Sequence, residues 1–259
     1  MENLYVFHGV DHKCGTTMIA QSVAEMLAES DRKKTVLLLS LAGRRNADFV
    51  RESTDPIDCY KSRIDSGLDV TKKLLRKNKC GENLYFISGV DNELEERYYL
   101  PQTAERLLEG LERDFDIIIA DAGSEIDNGL AIGGLQMAKK KYLVMTQNES
   151  ALRRYEKNWL LYESLKLNFS GYIINKYSDD SPYDISYLSR RMGVEKEMLH
   201  RINLAGSGLQ AEMDCRTLLG YREEKYIQDV EKIADRIGSE TGFEHLKNQR
   251  KGKWKISFI

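Results

Sequence analysis

At 259 residues, 41% apolar and 31% charged, the chain is long enough for one large α/β domain and has the composition of a globular protein. A formal charge of −2 excludes a global basic field directed at nucleic acid. No apolar run approaches the ~20 residues of a membrane-spanning helix. The four cysteines, Cys14, Cys59, Cys80 and Cys215, show no metal-ligand spacing and are expected to be free thiols in a reducing cytoplasm.

The first apolar run, LYVF (4–7), reads as a core strand and not as a signal peptide, so a cytosolic chain is expected. GVDHKCGTT (9–17) follows it. The helix after that carries Ile19, Val23, Met26 and Leu27 on one stripe, with Ala20, Ala24 and Ala28 permitting close packing. Strand, glycine-containing loop and helix form the layout of a phosphate-binding loop. Further strands are predicted at 35–40, 83–88, 116–121, 142–146 and 171–175, and helices at 102–113, 150–166 and 222–238. ENLYF (82–86) looks like part of a protease-cleavage tag, but Ile-Ser follows it and the stretch reads as a native strand.

Near-continuous apolar strands alternating with helices predict a doubly wound, mainly parallel sheet with helices on both faces. No linker composition interrupts the chain before about residue 240, so 1–240 is expected to be one domain and 241–259 a tail. In such sheets ligands sit at the carboxyl ends of strands. CGTT, SLAGRRN (40–46), DAGSE (121–125) and INKY (174–177) all follow strands and should meet at one edge. The candidate nucleotide site therefore comprises Asp11, His12, Lys13, Cys14, Gly15, Thr16 and Thr17. Within it Lys13 either turns inward to phosphate or outward to water, His12 reads as a loop filler and Cys14 as packing.

These segments, in this order, resemble the MinD/ParA family of deviant Walker-A ATPases. The family loop reads KGGVGKTTTAxNLA. Setting Gly15 on its last glycine places Thr17 at the magnesium-binding threonine, and Ala20 and Ala24 on its alanines. The family's DxDxxxxN corresponds to SLAGRRN, with Ser40 and Ala42 at the aspartate positions and Asn46 matching. DIIIADAG corresponds to its third element, retaining Asp121, and IINKY to the strand whose asparagine helps hold adenine, here Asn175. The resemblance thus implies the P-loop NTPase fold, ATP or ADP as ligand, and Mg²⁺ on Thr17 and Asp121.

Three charged positions of the family are changed. The lysine that reaches a dimer partner's nucleotide falls at Asp11, the lysine for the β- and γ-phosphates at Thr16, and the water-orienting aspartate at Ala42. Removing one such cation costs on the order of 10³–10⁵ in phosphoryl-transfer rate. Each charged hydrogen bond lost weakens binding by roughly 1.5–3 kcal/mol. Weak nucleotide binding with negligible hydrolysis is the expectation, on a scaffold that docks a protein partner or marks a cellular position. A working ATPase that dimerises on ATP, with Lys13 as the substitute cation, and a module binding no nucleotide are the alternatives.

Arg153 and Arg154 lie among acidic neighbours and are expected on a solvated face, which argues against DNA as a partner. In the tail, 243–259, Lys247, Arg250, Lys251, Lys253 and Lys255 alternate with Trp254, Ile256 and Phe258. That pattern suits a terminal strand or docking peptide, or else an anionic membrane surface.

Overall fold

Each predicted apolar run buries itself as a strand of one sheet. A computed structural model describes residues 1–45, 48–92, 94 and 98–243. Asn46 and the tail beyond Phe243, with the membrane and docking readings placed on it, lie outside the described residues. The strands are β1 (Leu4–Gly9), β2 (Val36–Ser40), β3 (Leu84–Ile87), β4 (Ile117–Asp121), β5 (Lys140–Thr146), β6 (Gly171–Tyr177) and β7 (Leu199–Asn203). They stand in the order β3-β2-β4-β1-β5-β6-β7, and every pair is parallel. The doubly wound expectation holds.

Helices cover both faces. On one lie α1 (Thr16–Ser30) and α8 (Glu224–Thr241), packed through Ile19, Val23, Leu27, Val230, Ile233 and Ile237 onto strand residues such as Phe7, Ile119 and Ile173. On the other lie α2 (Asp58–Asp65), α3 (Pro101–Glu112), α4 (Gly129–Met137), α5 (Glu149–Ser164) and α6 (Ile185–Met192), over Val6, Leu39, Ile118 and Met145. A short α7 (Gly208–Met213) precedes α8. Because period-2 alternation sends successive strand residues to opposite faces, both cores are apolar and the middles of the inner strands are nearly continuous apolar runs. α8 runs to Thr241, and Phe243 is buried behind its Gly242 cap.

The elements α2, α4, α6, α7 and β7 are not among those predicted from the sequence, and two of them show why apolar periodicity misses such segments. β7, Leu199–Asn203, carries polar His200, Arg201 and Asn203 because it stands at the sheet's edge. α4 is rich in glycine, a poor helix former, yet its glycines are required by α3. A Cβ on Gly133 would lie 2.4 Å from the Pro101 carbonyl oxygen, and one on Gly129 would lie 2.2 Å from that of Tyr99. Asn128 at the helix N-cap restores local stability, its Oδ1 accepting the Ala131 N–H at 2.8 Å.

α1 also anchors chain around the site. Gln21 Nε2 donates to the Phe49 carbonyl (2.7 Å) and to Glu25 Oε1 (2.9 Å), while Glu25 Oε2 accepts from Thr217 Oγ1 at 2.5 Å. Burial raises the Glu25 pKa from 4.5 to about 7, against the pull of those hydrogen bonds. The folded state therefore keeps this proton at pH values where the unfolded chain has released it, and stability falls as pH rises from about 4.5 through 7. Urea unfolding between about pH 5 and 8 is expected to show this decline in the wild type and a flatter profile in Glu25→Gln. An identical slope in both would remove the assignment.

Candidate functional site

The turns after β1, β2, β4 and β6 do gather at one end of the sheet. Gly9 N–H bonds the Gly123 carbonyl (2.7 Å), and Leu41 N–H bonds that of Asp121 (2.7 Å). A Cβ on Gly123 would stand 3.0 Å from that of Ala42. The β1–α1 loop lies at the centre of this gathering.

Gly15 makes the loop's turn into α1. Its φ of 89° is left-handed, and a Cβ there would stand 2.3 Å from Asn175 Nδ2, so only glycine fits. Asn175, buried at the end of β6, donates that nitrogen to the Cys14 carbonyl at 2.7 Å. Next to it, Lys176 Nζ donates to the Lys13 carbonyl at 3.0 Å. Lys13 and Lys176 both hold left-handed backbones, φ 59° and 54°, a conformation costly for residues with a Cβ. Consecutive side chains of β6 thus clamp consecutive loop carbonyls. The Lys13 side chain is exposed.

Beneath the loop, Cys14 and Thr16 are buried, with the sulfur 3.2 Å from the Thr16 hydroxyl. A Cβ on Gly9 would collide with both, at 2.6 and 2.5 Å. Burial pushes the Cys14 thiol pKa up, which suits packing and not a reactive thiolate. Thr16, at the position where the resemblance expects a lysine, is turned inward and carries no charge.

Thr17 and Asp121 meet directly. The Thr17 hydroxyl donates to Asp121 Oδ2 at 2.6 Å, and the Gly123 N–H donates to Oδ1 at 2.9 Å. Burial raises the Asp121 pKa, opposed first by the Thr17 hydrogen bond. A buried carboxylate of this kind gains from a cation. Among the described residues no group of three or more His, Cys, Asp or Glu side chains forms a metal cage. A hydroxyl and a carboxylate in contact have the oxygen chemistry that suits a hard divalent ion such as Mg²⁺, which would take its remaining ligands from phosphate and water.

At the mouth lies a chain of ion pairs. Arg154, from the second turn of α5, approaches Asp11 Oδ1 at 3.7 Å and Glu125 Oε1 at 3.4 Å. His12 Nε2 stands 2.6 Å from the same Glu125 oxygen, and its Nδ1 lies 3.1 Å from Ser124 Oγ and 3.5 Å from Arg44. Asp11 Oδ1 also accepts the His12 N–H at 2.8 Å. The solvated face expected for Arg154 is thus corrected: acidic groups of the loop and of the β4 turn draw it into the site. Arg153 does face solvent, paired with Glu149 one turn away. Arg154, Glu125 and Lys176 complete the site without having been marked as site residues. The acidic residue of DAGSE was the available signal.

A parallel sheet with a glycine turn opening its first helix, and a strand-end carboxylate on the following threonine, defines the P-loop NTPase class of fold. No family model matches the sequence, and no curated protein matches it. Solved structures do. The ParA family ATPase from Chlorobium tepidum TLS matches with a TM-score of 0.78 at 16% identity, over 90% of this chain and 99% of that one. An aspartate-to-alanine variant of Cyanothece McdA, in complex with ATP, matches at 0.68 and 16%, over 95% and 99%. The septum site-determining protein MinD from Pyrococcus horikoshii OT3, complexed with Mg-ADP, matches at 0.65 and 16%, over 93% and 99%. The fold is the ParA/MinD form of the P-loop NTPase architecture.

Gly15→Ala is expected to destabilise the protein by about 1–3 kcal/mol, because it strains the left-handed turn and displaces the Asn175 amide. Chemical denaturation measures the loss. A change under about 0.5 kcal/mol would mean that the clamp is not built as described.

Proposed function

We propose that the protein is a degenerate MinD/ParA-like nucleotide-binding scaffold, which docks a protein partner or marks a cellular position and hydrolyses little or no ATP. One observation carries the reading. Of the two loop positions where the resemblance expects lysine, one is Asp11, neutralised by Arg154, and the other is Thr16, buried on Cys14.

Phosphoryl transfer depends on positioning and on stabilising charge at the γ-phosphate. Asp11 adds negative charge beside the loop, and Ala42 supplies no carboxylate to orient water. Backbone N–H groups at the start of α1 still favour phosphate, and Thr17 with Asp121 still favours magnesium. Each absent lysine lowers affinity by about ten- to a hundred-fold, so weak Mg-nucleotide binding survives while turnover does not. One N–H of the Asn175 amide is committed to the loop, which leaves its second N–H and its oxygen for a nucleotide.

The altered loop supports a functional kinship with the TadZ/CpaE-type proteins of pilus-assembly loci. A cytoplasmic location, peripheral at the inner membrane face through the basic tail, and a homodimer belong to the same proposal. The second reading is a working ATPase. It is favoured by the Lys176 ammonium on the loop and by Lys13 beside it.

Calorimetry with Mg-ATP is expected to give weak heat that disappears in Asp121→Ala, and a phosphate-release assay is expected to stay at background. Saturable release abolished by Lys13→Ala or Lys176→Ala would replace the scaffold with the enzyme. Absence of any heat would leave a module that binds no nucleotide.

A further inference from the structure

The two edges of the sheet are finished differently. On the outer side of β3, Pro56 bridges Ser88 and Lys79 bridges Tyr85, and Asn78 holds this covering by donating to the Asp55 and Phe86 carbonyls at 2.8 Å each. Beyond β7 the described residues contribute no further strand. A strand in a parallel sheet turns the N–H and C=O groups of alternate residues to opposite sides. Leu204 N–H points to β6 and bonds the Tyr177 carbonyl at 3.0 Å. Asn203 N–H points away, onto the Asp229 carboxylate at 3.1 Å. Two and four residues earlier, the backbones of Arg201 and Leu199 take the same outward direction. A groove of about 370 Å³ follows this edge under α8, walled by Lys232, Ile233 and Arg236.

We propose that the β7 edge is a docking site for an extended acidic segment of a partner protein, which joins the sheet as an added parallel or antiparallel strand. Unpaired edge groups supply the main-chain hydrogen bonds of such an addition, and side chains on alternate positions set its specificity. Charge selects the occupant. Lys232 and Arg236 stand one turn apart on the α8 wall, and Arg236 meets the His200 imidazole at 2.9 Å, not a carboxylate. Burial and Arg236 keep that imidazole neutral, with its pKa lowered to about 4. The groove's carboxylate, Asp229, is committed to the Asn203 backbone and amide and to Lys232. On the other face of β7, Arg201 lies over the Tyr177 ring, 5.7 Å from its centroid, and is paired with Asp179 at 3.4 Å. The cations that select an acidic strand are therefore those of the α8 wall, Arg236 first, on the face that alternate side chains of the added strand would meet.

The chain's own tail is a poor occupant, because its five cations against Glu244 would meet Lys232 and Arg236. The inference does not depend on the nucleotide reading, because none of the loop residues lines this groove.

The probe is a fluorescein-labelled ten-residue peptide alternating valine and threonine with glutamate, titrated by anisotropy into the full chain. Saturable binding is expected, weakened at least tenfold by lysine in place of glutamate, by N-methylation of alternate residues, and by Arg236→Glu or Lys232→Glu. In hydrogen exchange the Arg201 amide should be fast in the free protein and slowed by the acidic peptide. Failure of the peptide to saturate, equal affinity for the lysine version, or indifference to both α8 variants would overturn the proposal. So would an Arg201 amide already protected in the free chain, which would assign the edge to the protein's own tail or to a second copy.

Discussion

The ion pair between Arg154 and Asp11 ties α5 to the loop that opens α1, and much of the site depends on it. A carboxylate at the mouth of a phosphate-binding loop repels phosphate and needs a cation. Here the cation comes from the same chain, and Arg154 continues through Glu125 to His12, Ser124 and Arg44. The turns after β1, β2 and β4 are thereby joined to one another and to α5. The groups are half exposed, so each pair contributes little alone. Their joint effect is geometric, because they fix where the loop stands.

Below that surface the arrangement is held by shorter-range forces. Gly15 is excluded from carrying a side chain by Asn175, and Asn175 is fixed by the Cys14 carbonyl. Thr16 and Cys14 fill the space over Gly9, which must itself lack a side chain. This interlocking packs the base of the loop as tightly as a core. A lysine at position 16 would have to leave that packing to reach a phosphate, so the substitution belongs to the local structure and not only to the charge count. Asp121 stands apart from the exchange. It is buried, raised in pKa and bonded to Thr17, a poor place for a carboxylate serving stability alone.

The apolar strands were legible because both faces of the sheet are covered, so burial imposes unbroken runs such as LYVF and IIIA. The gathering of their carboxyl ends followed from topology. β7 was not legible, since an edge strand carries polar residues, and its sequence LHRIN has neither a continuous run nor a clean alternation. α4 was hidden by its glycines, whose purpose is visible only when α3 lies against them. Arg154 was misplaced for a related reason. Local acidic neighbours suggest a solvated helix face, but the acids that decide its position, Asp11 and Glu125, are distant in sequence. Pairings of that kind leave no periodic signal.

If, as proposed, the loop grips a nucleotide without breaking it, there is a thermodynamic consequence for a scaffold built on it. Hydrolysis lets a protein leave its bound state irreversibly, whereas simple binding shifts populations only by the difference in affinity between two conformations. With the lysines absent that difference is small, because the phosphates have few charged groups through which to favour one arrangement of the turns over another. The Arg154–Asp11–Glu125–His12 chain already sets those turns without ligand. Nucleotide would then contribute occupancy and stability more than a change of state. Regulation of partner binding would have to act at a surface that the loop does not control. The outer side of the β7 edge, turned away from β6 and joined by no further strand among the described residues, offers such a surface.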